Sequence, residues 1–81
     1  MYYVYMIRCE DGSIYTGITT DVKRRFEEHK KNKGGAYTAS HKAKEVIHTE
    51  ELTTRSDALK REFEIKGLSR TEKLGLTRFR S

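Results

Sequence analysis

The stretch YYVYMIRCEDGSIYTGI, residues 2–18, decides the fold. Two runs rich in Tyr, Val and Ile flank Asp11-Gly12, the pattern of two strands joined by a tight turn. The length of that turn fixes which side chains share a face. A two-residue Asp11-Gly12 turn pairs Tyr15 with Arg8 and puts Tyr5 on the opposite face. A three-residue loop, Glu10-Asp11-Gly12, with Gly12 left-handed and forming a bulge, pairs Ser13 with Cys9 instead. Tyr15 then lies opposite Ile7 and Gly17 opposite Tyr5, so the four share one face, because a one-residue slip exchanges faces. The three-residue loop is the expected one. Gly17 needs a reason of its own, since glycine inside a strand has nothing to pack and marks close approach by a backbone or a ligand.

The remaining elements follow from periodicity and caps. From Asp21 to Asn32, Val22, Phe26 and His29 recur at helical spacing, with Thr20 or Asp21 as N-cap. The segment NKGGAYTASHKAK, residues 32–44, reads as a polar loop, and EVIHTEEL, residues 45–52, as a third strand. Ser56 opens a second helix whose apolar side is Ala58, Leu59, Phe63 and Ile65. Gly67 and the capping-box pattern Ser69-Arg70-Thr71-Glu72 predict a break and a short third helix. The order ββ-α-β-αα predicts an α+β fold, a small three-stranded antiparallel sheet flanked by about three helices. Eighty-one residues form one domain, 1–81, with no room for a second core.

Composition narrows the class. Hydrophobic residues make up 35% of the chain and charged residues 36%, so the core is small and the surface polar. The periodic pattern still argues for a folded domain over a disordered chain. The single cysteine, Cys9, cannot form an internal disulfide, which predicts a reducing, cytoplasmic setting. No apolar run approaches the length of a membrane span, and no signal-peptide core follows Met1. The net charge of +5 falls in one place: residues 21–44 hold eight basic and three acidic residues. Such a field attracts phosphates. Charge alone favours the plainer reading, a solvated helix face with a lysine-rich loop.

Three further residues belong beside the tyrosines. Arg25 and His29 are four apart, on adjoining turns of one helix face. A guanidinium binds phosphate bidentately, and an imidazole passes protons near neutral pH. Glu62 lies four after Ala58 and three before Ile65, on the edge of the apolar side, where a carboxylate needs a cation. An ion pair with Arg25 or a neighbouring Lys satisfies that need as well as a metal does.

The ordered set Tyr3-Val4-Tyr5, Tyr15-Thr16-Gly17, Arg25, His29 and Glu62 resembles the GIY-YIG nuclease domain over nearly the whole chain. DGSIYTGITTDVKRRFEEH and ALKREFEIKGLSRTEKLGL carry the match, which is closest to the small stand-alone bacterial (YhbQ-like) proteins. Tyr3 replaces the first Gly of the name motif and Thr16 the middle Ile. Several family nucleases carry a late Asn near the site, whereas the only Asn here is Asn32.

The resemblance implies metal-assisted hydrolysis of a phosphodiester, in DNA rather than RNA and with little sequence specificity. Glu62 would hold one Mg²⁺ or Mn²⁺ ion. Tyr15 would be the general base, helped by His29 or Tyr5, and Arg25 would stabilise charge at phosphorus. Gly17 would let the substrate backbone approach, with Lys23, Lys30, Lys31, Lys33 and Lys42 on phosphates and Tyr37 contacting substrate or stacking on a base. Two other classes stay open: a nucleic-acid-binding module without turnover, and a protein-interaction domain that retains the motif.

Overall fold

Residues 1–31 and 40–77 are described by the structure, a computed structural model. Tyr2–Cys9 (β1) and Ile14–Thr19 (β2) form the hairpin. Gly12 has φ 85°, and the three-residue loop is closed by Cys9 N–H to the Ser13 carbonyl at 2.8 Å and Gly12 N–H to the Cys9 carbonyl at 3.0 Å. Only glycine adopts that φ without strain, which is why the turn takes this length. Tyr5 therefore pairs with Gly17 and Ile7 with Tyr15, the expected register.

The third strand, Ala43–Leu52 (β3), pairs antiparallel with β1, so β1 is central in the order β2-β1-β3. It starts earlier than the sequence suggests, at Ala43 rather than Glu45. Two irregularities in the β1·β3 pairing, between Met6 and Ile7 and between Arg8 and Cys9, absorb the extra residues.

Each face of the sheet is covered separately. Val22–Lys30 (α1) is capped by Asp21, which accepts from Arg24 N–H, and ends before Lys31. It lays Val22 and Phe26 against Tyr5, Ile7, Cys9 and Tyr15. Arg55–Lys66 (α2) and Arg70–Thr77 (α3) cover the other face, where Ala58 and Ile65 pack with Val4 and Met6, and Leu76 joins from α3. Val4, Met6 and Ile7 are fully buried, each contributing about 1.5–3 kcal/mol.

Helix α2 differs from its expectation in two respects. Its N-cap is Thr54, two residues before Ser56, and the Thr54 side chain accepts from Asp57 N–H at 3.1 Å. Its buried side is Ala58 and Ile65 alone; Leu59 and Phe63 face outward, Phe63 at 81% exposure. A polar network outranks them on the inner side. Arg61 donates to both Glu50 oxygens, at 2.7 and 3.0 Å, and Glu50 also pairs with His48 at 2.7 Å. The Arg61 hydrogen bonds hold the Glu50 carboxyl below its usual range. With Arg61 turned to β3, the helix is rotated so that Leu59 and Phe63 point away. The capping box at α3 forms as read: Glu72 N–H donates to Ser69 Oγ and Ser69 N–H to Glu72 Oε1.

Candidate active site

Alternation along β1 and β2 puts Tyr5 and Tyr15 on one face, and α1 brings Arg25 and His29 over it. Tyr5 Oη and His29 Nε2 are 2.9 Å apart, a buried hydrogen bond. The three rings form one cluster, with centroids 6.2 Å apart for Tyr5–Tyr15, 5.8 Å for Tyr5–His29 and 5.1 Å for Tyr15–His29. Arg25 leans in from the turn before His29 and donates to Glu28 Oε1 at 3.2 Å.

The cluster has depth. Tyr5 is 2% exposed and His29 0%, whereas Tyr15 is half-buried and the Arg25 side chain is 30% exposed. Substrate would meet Tyr15 and Arg25, with Tyr5 and His29 behind them. Burial pushes the Tyr5 phenol up to about 12, against the opposing pull of Arg25 and together with Tyr15. Burial, then the charge of Arg25, lowers the His29 pKa. Both act on the charged form, which a dry site disfavours. At neutral pH the pair is thus a phenol and a neutral imidazole. For Arg25, burial works to lower the pKa, but the hydrogen bonds to Tyr5 and Glu28 outweigh it and the group is held charged.

Gly17 has a different role from the one expected. A Cβ built there would fall 2.7 Å from Tyr5 Oη and 3.1 Å from Tyr15 Cε2. The room that the glycine makes is taken by the Tyr5 phenol, not left for a substrate backbone.

Glu62 comes from α2, whose buried residues Ala58 and Ile65 pack with Val4 and Met6. Its carboxylate is largely covered, 19% exposed, and pairs with Lys66 at 3.3 Å. A neighbouring lysine, one of the partners open from the sequence, is thus beside it.

The expected nucleic-acid contacts divide. Lys23, Lys30, Lys31 and Lys42 are exposed, the first two on α1, with Lys30 Nζ 5.6 Å from the Phe26 ring centre. Lys33 and Tyr37 lie outside the described residues. Lys44, outside the expected set, lines a pocket with Lys30 and Lys42; the bulge that brings it there has no sequence signature. Cys9 is buried with its thiol pKa raised by burial, a small core residue as read. No described helix is long and apolar enough to cross a membrane.

Among the described residues no three His, Cys, Asp or Glu side chains come together to hold a metal. Mg²⁺ does not need such a set, since it keeps several waters and takes one or two carboxylates plus substrate phosphates. Glu62, covered and neutralised only by a surface lysine, fits as a single-carboxylate donor.

Residues 1–75 match the family model described as the GIY-YIG catalytic domain. The chain is 53% identical over 72 residues to a UPF0213 protein of Cupriavidus necator, covering 89% of this chain and 78% of that one. A UPF0213 protein of Halobacterium salinarum is 46% identical over 76 residues, covering 94% and 99%. The solution NMR structure of a UPF0213 protein from Bacillus halodurans superposes with a TM-score of 0.62 at 40% identity, covering 99% of this chain and 86% of that chain. The chain belongs to the GIY-YIG catalytic-domain family, among the small stand-alone UPF0213 proteins.

Proposed function

We propose that this protein is a metal-dependent endonuclease that hydrolyses phosphodiester bonds in DNA with little sequence specificity. One observation carries the reading: in a chain of a nuclease family, Tyr5, Tyr15, Arg25 and His29 converge on one sheet face. Four residues from three elements meet there, and they are the residue types that phosphate chemistry uses.

The roles follow from depth and charge. Arg25, accessible and permanently charged, binds the phosphate and stabilises negative charge developing at phosphorus. Tyr15, at the surface of the cluster, positions the attacking water and takes its proton as its own phenolic proton passes to Tyr5, to which it is hydrogen-bonded. Tyr5, its pKa pushed up to about 12, rests as a protonated phenol. It donates its O–H to Nε2 of neutral His29, which fixes the imidazole tautomer with the proton on Nδ1. His29, neutral at rest, takes the proton relayed by Tyr5 at Nε2 and becomes imidazolium. Glu62 would hold one Mg²⁺ or Mn²⁺, which when bound neutralises phosphate charge and lowers the pKa of a water.

The test is cleavage of matched DNA and RNA strands by the wild type, Tyr15→Phe and Arg25→Ala. Cutting of DNA by the wild type, reduced at least about a hundredfold in both variants, supports the reading. Equal cutting by all three proteins would refute it, and cutting confined to RNA would move the substrate. Salt-sensitive binding without turnover would favour the binding-module alternative.

A further inference from the structure

A basic cavity lies beside the ring cluster. Glu10, Lys30, Lys42, Ala43 and Lys44 line an open pocket of about 350 Å³, within the roughly 300–1,000 Å³ of small-ligand sites. Two backbone irregularities bring lysines to it. Lys42 has φ 59°, the left-handed conformation just past a helical turn, here after Ser40 and His41, which glycine or asparagine normally fills. In the β1·β3 ladder Arg8 pairs with Glu45 and Cys9 with Ala43, so Lys44 is the extra residue of a bulge, a device that re-aims a side chain. The third ammonium, on Lys30, is restrained over the Phe26 ring by cation–π attraction.

The corner itself is fastened. Glu10 N–H donates to the Lys42 carbonyl at 2.9 Å, and Asp11 pairs with His41. A loop serving only to connect would avoid the strain by using glycine at residue 42. Three ammonium groups around one carboxylate leave a local positive field of the kind that gathers phosphate.

The position of the cavity says which phosphate. Ala43 and Cys9 pack on the same face as Tyr5, and Lys30 directly follows His29. Cys9 is four residues beyond Tyr5 on β1, about 13 Å at the rise of a strand. An extended strand covers that distance in a few nucleotides. We propose that the cavity is a second phosphate-binding site, holding the backbone of a nucleic-acid strand a few nucleotides from the bond presented to Tyr15 and Arg25. This rests on reading that face as a nuclease site. The site gives the strand a second anchor, at the hairpin end of the sheet.

Binding measured in chelator tests this without turnover. Labelled single-stranded DNA is titrated at lengths from about two to ten nucleotides, spanning the site sizes of single-strand binders. The wild type gains affinity in a step once the strand is long enough to reach from the ring cluster to the cavity. The double variant Lys42→Gly with Lys44→Gln loses that gain, and its salt slope falls by about 1.4, twice the ~0.7 per phosphate contact of single strands. Lys42→Gly relieves the backbone, so a preserved Tm shows that the loss is not misfolding. Arg55→Gln with Lys60→Gln removes equal charge from exposed positions of α2 and keeps both slope and length dependence. Equal losses in the two double variants would overturn the proposal, as would an unchanged slope in the pocket variant. Saturation by inorganic phosphate with no gain from strand length would also overturn it, assigning the cavity to the free ion. Intact length dependence without metal-dependent cutting would sink the nuclease reading and leave the phosphate site standing.

Discussion

The Tyr5 phenol occupies the space where a side chain on residue 17 would begin: a Cβ on Gly17 would lie 2.7 Å from Tyr5 Oη and 2.9 Å from Cζ. The two residues are directly paired across the β1–β2 ladder. The glycine is therefore what allows the phenol to lie down and reach His29 Nε2. Gly17→Ala should cost about 1–3 kcal/mol, the range for overpacking a tight site. The same change should break the Tyr5–His29 hydrogen bond, read by denaturation and by the His29 ring resonances in NMR. A variant as stable as wild type with unshifted His29 signals would contradict this account.

The Tyr5–His29 pair also sets a pH dependence. The His29 pKa is lowered from its ordinary 6.5 by burial. The unfolded chain takes up a proton as pH falls through 6.5 and the folded chain does not, so stability declines below that pH. At the alkaline end the sign reverses. Tyr5, raised from 10.0 to about 12, keeps a proton that the unfolded chain loses above pH 10, and its contribution disappears as pH climbs to about 12. Thermal unfolding across both windows, with His29→Gln and Tyr5→Phe beside wild type, should show each variant losing one limb of the profile.

Thr16 Oγ1 is buried, and among the described residues no hydrogen-bond partner accepts it. Its strand neighbours Ile14 and Ile18 are apolar and pack with Val4 and Met6. An unsatisfied buried hydroxyl costs about 1–3 kcal/mol. Thr16→Val keeps the shape and removes the polar atom, so it should raise the Tm, by several degrees for a domain of this size. A lowered Tm would show that the hydroxyl has a partner that matters.

Helix α2 offers a paired test of its rotation. Ile65 is fully buried and Phe63 is 81% exposed, two residues apart on one helix. Ile65→Ala should destabilise by about 2–5 kcal/mol, and Phe63→Ala by no more than about 0.5 kcal/mol. Reversed magnitudes in chemical denaturation would mean that α2 faces the sheet with its other side.

Local chemistry made much of this legible before any coordinates. The hairpin register followed from Gly12, since a left-handed residue at that position dictates the loop, and the Ser69–Glu72 capping box could be read residue by residue. The ring cluster was legible because strand alternation and the four-residue spacing of Arg25 and His29 are local rules. What stayed hidden depended on long-range partners. Leu59 and Phe63 look like a core stripe until Glu50 turns Arg61 toward β3. Gly17 was correctly marked as a point of close approach, but only the cross-strand geometry names Tyr5 as the group that approaches.

The central claim is metal-dependent hydrolysis, and side-by-side cleavage by wild type and Glu62→Ala tests it most directly. Labelled single-stranded, duplex and branched DNA would be incubated with Mg²⁺, Mn²⁺ or chelator, with the Tm of each protein checked first. The prediction is cutting by wild type with metal, none in chelator, and none by a Glu62→Ala protein that remains folded. Cutting that survives Glu62→Ala or persists in chelator would contradict the account, and so would a folded wild type that cuts none of these substrates.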